Sequence, residues 1–162
     1  MLLHEYLEKE SLSFDISLFA TDIDRGSLQK AHLANYSLES LQNVIVKRFN
    51  KYFYKENGSY QLIPQIQKMV SFSYFDLLSS KHYSPPESIF GAFDIIFCRN
   101  VLIYFNLDYQ KVIFDKLNRS LIENGFLVLG EAEVPPRHYK RKFRRVTMDS
   151  KIYRKIWPFL II

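Results

Sequence analysis

Residues 93–105 read Phe-Asp-Ile-Ile-Phe-Cys-Arg-Asn-Val-Leu-Ile-Tyr-Phe, which predicts a strand followed at once by polar groups. The first six residues, 93–98, are apolar enough for a short strand that is buried on both faces. Arg99, Asn100 and Tyr104 come after its carboxyl end. Ligands of open α/β sheets bind beyond the carboxyl ends of the strands. This segment therefore predicts a crevice that contains a cation, an amide and a phenol.

The chain on either side alternates between strand and helix patterns. Strands are predicted at 14–20, 70–75, 93–98 and 126–130. Helices are predicted over 1–10, over a short stretch ending at 34, over about 38–49, and over 108–123 with Asn124-Gly125 as the C-cap pair. Two further β-like stretches, 143–148 and 151–156, flank a turn. This order predicts an α/β fold, an open and mostly parallel sheet that ends in an antiparallel hairpin.

A different pattern interrupts this alternation at about 49–63, where aromatic stretches flank Asn57-Gly58. Asn-Gly between such stretches is the strongest short-range signal for a β-hairpin. We expect an inserted hairpin that projects from the sheet and contacts a protein partner. Its aromatic residues are more than one face of a hairpin can bury: Phe49, Tyr52, Phe53, Tyr54 and Tyr60. The alternative is that they pack on the predicted helix at 38–48.

Length and composition narrow the class of protein. The 162 residues, 48% of them hydrophobic, are enough for one domain with a buried core and exclude disorder. The single cysteine, Cys98, excludes an intrachain disulfide and fits a reducing compartment. No apolar run approaches the roughly 20 residues of a membrane helix. We expect a cytoplasmic protein without membrane insertion.

The net charge of +5 is concentrated in one segment, 137–155, which holds nine Lys or Arg residues and one Asp. An acidic partner such as a nucleic acid could use this segment. It has no RNA-binding signature, however, and charge runs are usually solvated faces, so no nucleic-acid partner is expected. The four histidines have no ligand-like spacing. No metal site is predicted.

Residues 93–105, together with Asn124-Gly-Phe-Leu-Val-Leu-Gly130, resemble the CheR-type methyltransferases, which use S-adenosylmethionine to methylate glutamate side chains of bacterial chemoreceptors. Other motifs occur in the family's order: Phe19-Ala-Thr-Asp-Ile-Asp24 is similar to its second-strand motif, 47–62 to its inserted β-subdomain, Val70 to Leu78 to its next strand and cofactor loop, and Lys151-Ile-Tyr-Arg154 to its closing strand. The resemblance implies a Rossmann-like methyltransferase sheet. It also implies a single partial domain over 1–162 with an inserted subdomain at about 49–63.

The resemblance also implies roles for individual residues toward S-adenosylmethionine. Asp22 would bind the ribose, Asp76 and Leu77 the adenine, and Arg99 and Asn100 would lie by the methionine end. Tyr104 and Arg99 are the implied catalytic residues, at the methyl-transfer site. On the residues alone, Asp22 fits a ribose ligand and a helix N-cap equally well. On spacing alone, Tyr104 would be interpreted as a buried aromatic residue of the core. The resemblance instead implies that it lines the methyl-transfer site.

Two departures from the family pattern bear on activity. The family's first strand and its Gly-containing cofactor loop have no counterpart in the chain, and its Gly-His-Ser-Glu stretch reads Gly130-Glu131-Ala132-Glu133. We therefore expect weak or undetectable cofactor binding by this chain alone. The alternative to an enzyme that methylates the cytoplasmic domain of a chemoreceptor is a truncated or degenerate, non-catalytic protein-binding module.

The expected loss of the first strand has a consequence for the sheet. In the family, that strand lies between the strands predicted at 14–20 and 93–98. Backbone groups left unpaired inside a protein cost about 1–3 kcal/mol each. We therefore expect these two strands to pair directly or the gap to be filled, and the exposed edges to favour self-association.

Overall fold

The computed structural model describes residues 1–88 and 91–156, and the chain divides into two compact units, Met1–Phe75 and Asp76–Ile162. The α-helices are α1 (Leu2–Glu10), α2 (Arg25–Leu33), α3 (Val46–Tyr52), α4 (Pro64–Gln67) and α5 (Leu107–Ser120). The strands are β1 (Leu18–Asp22), β2 (Asn35–Tyr36), β3 (Phe53–Glu56), β4 (Ser59–Leu62), β5 (Val70–Tyr74), β6 (Phe93–Cys98), β7 (Leu121–Leu129), β8 (Phe143–Arg145) and β9 (Ile152–Lys155). None of the helices in these ranges has both the length and the apolar character to cross a membrane.

The first unit contains a pair of parallel strands, and α2 packs against both of them. β1 pairs with β5 in register from Leu18 opposite Val70 to Asp22 opposite Tyr74. Asp24 caps α2, since its carboxylate accepts hydrogen bonds from the backbone N–H groups of Gly26 and Ser27. The side-chain hydrogen bond from Ser27 is the main cause of a lowered pKa at Asp24. The predicted helix that ends at 34 is thus confirmed.

The first unit also contains the predicted hairpin, within an antiparallel sheet of order β2-β4-β3. Asn57 and Gly58 have φ values of 46° and 82°, the positive values that a tight hairpin turn needs at both central positions. The hairpin strands are shorter than predicted, because α3 continues to Tyr52. The predicted helix over 38–49 is therefore wrong in its bounds. A 3-10 turn at Glu39–Leu41 precedes α3 instead.

Most of the hairpin's aromatic side chains pack inside this unit. The Phe49 ring stacks on Phe53 at 6.1 Å between centroids and lies 5.0 Å from Tyr60. Tyr52 is fully buried, and its hydroxyl lies 3.2 Å from His4 Nδ1 on α1. Tyr54 is 43% exposed. The alternative of packing on the preceding helix is therefore favoured over an aromatic surface that awaits a partner.

The second unit is a four-stranded sheet of order β6-β7-β9-β8 packed on α5. β6 and β7 are parallel, while β9 pairs antiparallel with both β7 and β8. The predicted C-terminal hairpin is thus confirmed. Asn106 caps α5 by accepting hydrogen bonds from the backbone N–H groups of Asp108 and Tyr109. The core includes Cys98, Leu102, Ile113, Phe114, Leu117, Leu121, Leu127, Leu129, Tyr139, Phe143 and Tyr153.

The predicted end of α5 is wrong by three residues. The helix ends at Ser120, and β7 starts directly at Leu121. Asn124, with φ of 66°, and Gly125 lie inside β7, where the register with β6 shifts. A Cβ on Gly125 would lie 3.0 Å from the carbonyl oxygen of Asp94. Asn124-Gly125 is therefore not a helix cap. It lies at an irregularity in β7 where this strand comes close to β6.

The pairing of each parallel pair lies within one unit: among the described strands, β1 pairs with β5, and β6 pairs with β7. The expectation that the strands at 14–20 and 93–98 pair directly or that the gap is filled stays a prediction. β6 has the predicted bounds, but it is not buried on both faces. Ile96 and Cys98 face the core, whereas Ile95 and Phe97 are 52% and 72% exposed. Among the described residues, the hydrophobic cluster that contains α5 side chains takes in Ile96 and Cys98 but not Ile95 or Phe97.

Candidate functional site

One buried carboxylate holds the loop that follows β6. Glu133 is 3% exposed. Its Oε1 accepts hydrogen bonds from the backbone N–H groups of Val101, at 2.8 Å, and Leu102, at 2.7 Å. Its Oε2 accepts from those of Asn100, at 3.0 Å, and Gly130, at 2.7 Å. Four charge-assisted hydrogen bonds fix this loop to the end of β7.

Gly130 allows the two loops to approach this closely. A Cβ at this position would lie 2.4 Å from Asn100 Oδ1 and 2.8 Å from the Asn100 backbone nitrogen. Real Cβ contacts are longer than this, so position 130 tolerates no side chain in this arrangement. Asn100 has φ of 57°, in the left-handed region that asparagine visits more readily than most residues.

The side chains expected to face the cofactor project from this loop. Arg99 and Asn100 are exposed, and the Arg99 guanidinium makes no hydrogen bond or ion pair with residues 1–88 or 91–156. Tyr104 lies in a 3-10 turn, Leu102–Tyr104, and is 81% exposed. The alternative of a buried core aromatic is therefore wrong for Tyr104. Its place at a methyl-transfer site stays a prediction.

A buried lysine forms hydrogen bonds with the backbone of the loop that contains Asp76 and Leu77. Lys116 on α5 is 5% exposed and donates hydrogen bonds to the carbonyl oxygens of Asp76, at 3.1 Å, and Ser79, at 2.6 Å. Burial lowers the pKa of Lys116, and the Asp76 charge opposes that shift. Asp76 Oδ1 accepts a hydrogen bond from the Leu78 N–H, and Leu77 packs against the core.

Asp22 belongs to the first unit, at the carboxyl end of β1. Its Oδ1 accepts a hydrogen bond from the backbone N–H of Asp24, at 2.9 Å. Because Asp24 caps α2, the helix-cap alternative for Asp22 is wrong. Asp76, Arg99, Asn100 and Tyr104 belong to the second unit.

One carboxylate in each unit, taken by itself, has a chemistry that suits part of S-adenosylmethionine. Asp22 and Asp76 each use one carboxylate oxygen to fix the following backbone. The described residues offer no hydrogen bond to the other oxygen of either carboxylate. An oriented carboxylate with one open oxygen suits the hydroxyl and amino groups of a nucleoside. Leu77 adds an apolar surface of the kind that an adenine ring needs.

The sequence reasoning did not assign a role to Glu133 or Lys116, although both support site loops. The signal for Glu133 was its place in the Gly130-Glu131-Ala132-Glu133 stretch, where it keeps the last residue of the family's Gly-His-Ser-Glu. Lys116 carried no such signal. Within the described ranges, no group of three or more His, Cys, Asp or Glu residues could hold a metal ion.

Cys98 is expected to resist alkylation in the folded protein. Burial raises the pKa of its thiol to about 12, and the Glu133 charge adds to that shift. The reactive thiolate is therefore scarce at pH 8, whereas an unfolded cysteine has a pKa of about 8.5. Iodoacetamide labelling followed by mass spectrometry should be more than about 100-fold slower in buffer than in guanidinium chloride. Because Cys98 is the only cysteine, the fraction of protein that carries one carbamidomethyl group measures the extent of the reaction. Comparable rates in both solvents would contradict the buried thiol.

Comparison with known proteins identifies the family that the motifs resemble. The family described as "CheR methyltransferase, SAM binding domain" matches residues 1–152. Chemotaxis protein methyltransferase 2 of Vibrio cholerae is 38% identical over 139 residues, which cover 82% of this chain and 46% of that protein. The chemotaxis protein methyltransferase of Escherichia coli is 34% identical over 130 residues, which cover 78% of this chain and 43% of that protein. That of Borreliella burgdorferi is 31% identical over 134 residues, which cover 82% and 46%. The chain thus spans less than half the length of these relatives.

Proposed function

This chain belongs to the CheR methyltransferase family, and we propose that it binds S-adenosylmethionine and serves methyl transfer to glutamate side chains of chemoreceptor cytoplasmic domains. The observation that carries the proposal is the loop after β6. Its backbone is fixed by Glu133, while Arg99 and Asn100 are exposed at the carboxyl end of the strand. Ligands of α/β sheets bind at such strand ends.

The residues that would hold S-adenosylmethionine divide by the part of the molecule that each suits. The Asp22 carboxylate suits the ribose hydroxyls, and Asp76 with Leu77 suits the adenine. Arg99 suits the carboxylate of the methionine portion, because a guanidinium pairs with carboxylates in a bidentate manner. Asn100 offers an amide that both donates and accepts. No metal ion has a part in this set.

The reaction asks the protein for position rather than for a strong base. When bound, S-adenosylmethionine would supply an electrophilic methyl group on a sulfonium. The methyl–sulfur bond would break as the C–O bond of a glutamate methyl ester forms, and S-adenosylhomocysteine would leave. A glutamate carboxylate is ionised at neutral pH and already nucleophilic. In this proposal the exposed Tyr104 hydroxyl would orient that carboxylate by donating a hydrogen bond, and Arg99 would hold the other reactant. Alignment of two bound reactants accounts for much of an enzyme's rate enhancement.

The proposal extends to fold and location. The parallel pairs β1–β5 and β6–β7 support a Rossmann-like methyltransferase organisation with the β2-β4-β3 sheet as an inserted subdomain. Among the described residues, only helix α1 comes before β1. A cytoplasmic location follows from the proposed substrate, since receptor cytoplasmic domains are reached from that side. Self-association through exposed strand edges stays part of the proposal.

The proposed function predicts methyl transfer that depends on Arg99 and Tyr104. With tritiated S-adenosylmethionine and a chemoreceptor cytoplasmic fragment, the protein should form alkali-labile methyl esters, measured as volatile methanol. Arg99→Ala should lower the rate about 100-fold, because it removes a charged contact to a reactant. Tyr104→Phe should lower it about tenfold by loss of one hydrogen bond. Tyr109→Phe is the matched control, since Tyr109 is 51% exposed on α5 and should leave the rate unchanged.

The same assay separates the enzyme from the non-catalytic alternative. Binding of S-adenosylhomocysteine without methyl-ester formation on any receptor fragment would favour a CheR-like binding module. Absence of both binding and transfer would contradict the proposal as a whole. Equal losses from Tyr104→Phe and Tyr109→Phe would remove Tyr104 from the site.

A further inference from the structure

We propose that Glu133 is a positioning residue for the cofactor site, which sets the conformation of residues 99–102 and through it the directions of the Arg99 and Asn100 side chains. The inference rests on the proposed function for the identity of the ligand. The Glu133 carboxylate does not itself reach that ligand in this scheme, because all four of its hydrogen bonds go to backbone groups.

The backbone N–H groups of the loop after β6 form an anion-binding concavity. The anion that they bind is the Glu133 carboxylate of the same chain. Asn100 lies in the left-handed region and Val101 in the right-handed helical region, at φ of −111° and ψ of −46°. Successive residues of opposite hand point their N–H groups inward and form a nest that binds anions. Here the N–H groups of Asn100, Val101 and Leu102 all donate to Glu133. Without that charge, three clustered N–H dipoles would face one another with no acceptor.

The carboxylate therefore acts on the exposed side chains through their backbone. The Cα–Cβ direction of Asn100 depends on a φ value that few side-chain-bearing residues adopt. Glu133 holds that value by binding the Asn100 N–H, and it joins the loop to the end of β7 through Gly130. The Asn100 side chain is left exposed. Loss of the carboxylate should let the loop relax and misalign the groups that meet the cofactor.

Charge and geometry are both required at position 133. A glutamine side chain has almost the same shape, but one of its two oxygens becomes an NH₂ group. That group would face two of the four N–H donors, so Glu133→Gln turns two hydrogen bonds into donor–donor contacts. Glu131→Gln is the matched control: it makes the same change of charge two residues away, on an exposed side chain.

Two-dimensional ¹⁵N–¹H NMR of the protein tests the inference directly. In the wild type, the amide protons of Asn100, Val101, Leu102 and Gly130 should resonate downfield, because each is hydrogen-bonded to a carboxylate. In Glu133→Gln, these signals should move upfield or broaden, while the rest of residues 91–156 changes little. Titration with S-adenosylhomocysteine, which NMR follows even at weak affinity, should show a loss of about tenfold or more for Glu133→Gln. Glu131→Gln should bind as the wild type does.

The outcomes separate this inference from the proposed function. Wild-type affinity in Glu133→Gln with displaced loop amides would overturn the positioning role. Shifts spread evenly over the second unit would also overturn it, since Glu133 would then act only on the fold. If the wild type binds no S-adenosylhomocysteine, the proposed function fails. The signals of the loop amides still decide whether Glu133 sets the conformation of the loop.

If Glu133→Gln does not fold, Glu133→Asp replaces it as the test variant. Aspartate keeps the charge, but its side chain is shorter by one methylene. The Glu133→Asp variant should fold and lose affinity for S-adenosylhomocysteine. If neither variant folds, the inference is overturned.

Discussion

Replacement of Gly130 by alanine is expected to lower both the stability of the second unit and its affinity for the cofactor. The new Cβ would lie 2.4 Å from Asn100 Oδ1, 2.8 Å from the Asn100 backbone nitrogen and 2.8 Å from Glu133 Oε2. The Asn100 amide oxygen could rotate away, but the backbone nitrogen could not. The loop after β6 must therefore separate from β7, which breaks hydrogen bonds to a buried carboxylate.

The expected size of the Gly130→Ala effect follows from these contacts. Overpacking of a close contact costs about 1–3 kcal/mol, and each unsatisfied buried polar group adds about 1–3 kcal/mol. The free energy of unfolding should fall by about 2–4 kcal/mol. Affinity for S-adenosylhomocysteine should fall about 100-fold, since small misplacements of binding groups have effects of that size. Denaturant titration measures the free energy of unfolding, and NMR titration, which follows weak binding, measures the affinity.

Gly26→Ala is the matched control for this variant. Gly26 lies in α2, and a Cβ there would meet only the flexible Asp24 carboxylate, at 3.3 Å. Because alanine is favoured over glycine inside a helix by about 1 kcal/mol, the stability should change by no more than that amount. Gly130→Ala with wild-type stability and affinity would show that the loop after β6 tolerates a wider spacing than the structure has.

Local signals in the sequence predicted the elements that depend on local physics. A six-residue stretch with five apolar residues, followed by Arg-Asn, predicted β6 with its observed bounds, Phe93–Cys98. Asn57-Gly58 predicted a turn whose two central φ values are positive in the structure. The stretch after the turn forms the second strand of the hairpin, Ser59–Leu62. In each case the neighbouring residues in the chain determine the conformation.

The errors arose where distant contacts decide. Asn124-Gly125 has the composition of a helix cap, but the approach of Asp94 across the sheet places it inside β7. The strand pattern at 93–98 predicted burial on two faces, yet burial depends on what packs against each face. Glu133 is hydrogen-bonded to residues more than 30 positions away in sequence, and a single sequence gives no spacing rule for such contacts. The sequence therefore predicted exposed residues of the candidate site, such as Arg99 and Tyr104. It did not predict the buried residues that support the loops, Glu133 and Lys116.

Truncation of Phe114 to alanine is expected to be the most destabilising single substitution in the second unit. Phe114 is fully buried on α5. Its ring lies 5.7 Å from that of Tyr139 and 6.4 Å from that of Phe143, measured between centroids. Removal of a buried phenylalanine side chain costs about 3–5 kcal/mol, through lost burial and the cavity that remains. That is a large part of the 5–15 kcal/mol by which domains are stable.

The Phe114→Ala effect should reach the candidate site, because the same core contains the base of the loop after β6. Cys98 and Leu102, which bracket that loop, belong to the hydrophobic cluster around Phe114. Hydrogen exchange measured by mass spectrometry should therefore show faster exchange at residues 99–102 as well as along α5. Val112→Ala is the control, since Val112 lies on the same helix but is 47% exposed, and it should change the free energy of unfolding by about 0.5 kcal/mol or less. If Phe114→Ala lowered the stability but left exchange at 99–102 unchanged, the loop would be held by Glu133 alone and would not depend on the core beneath it.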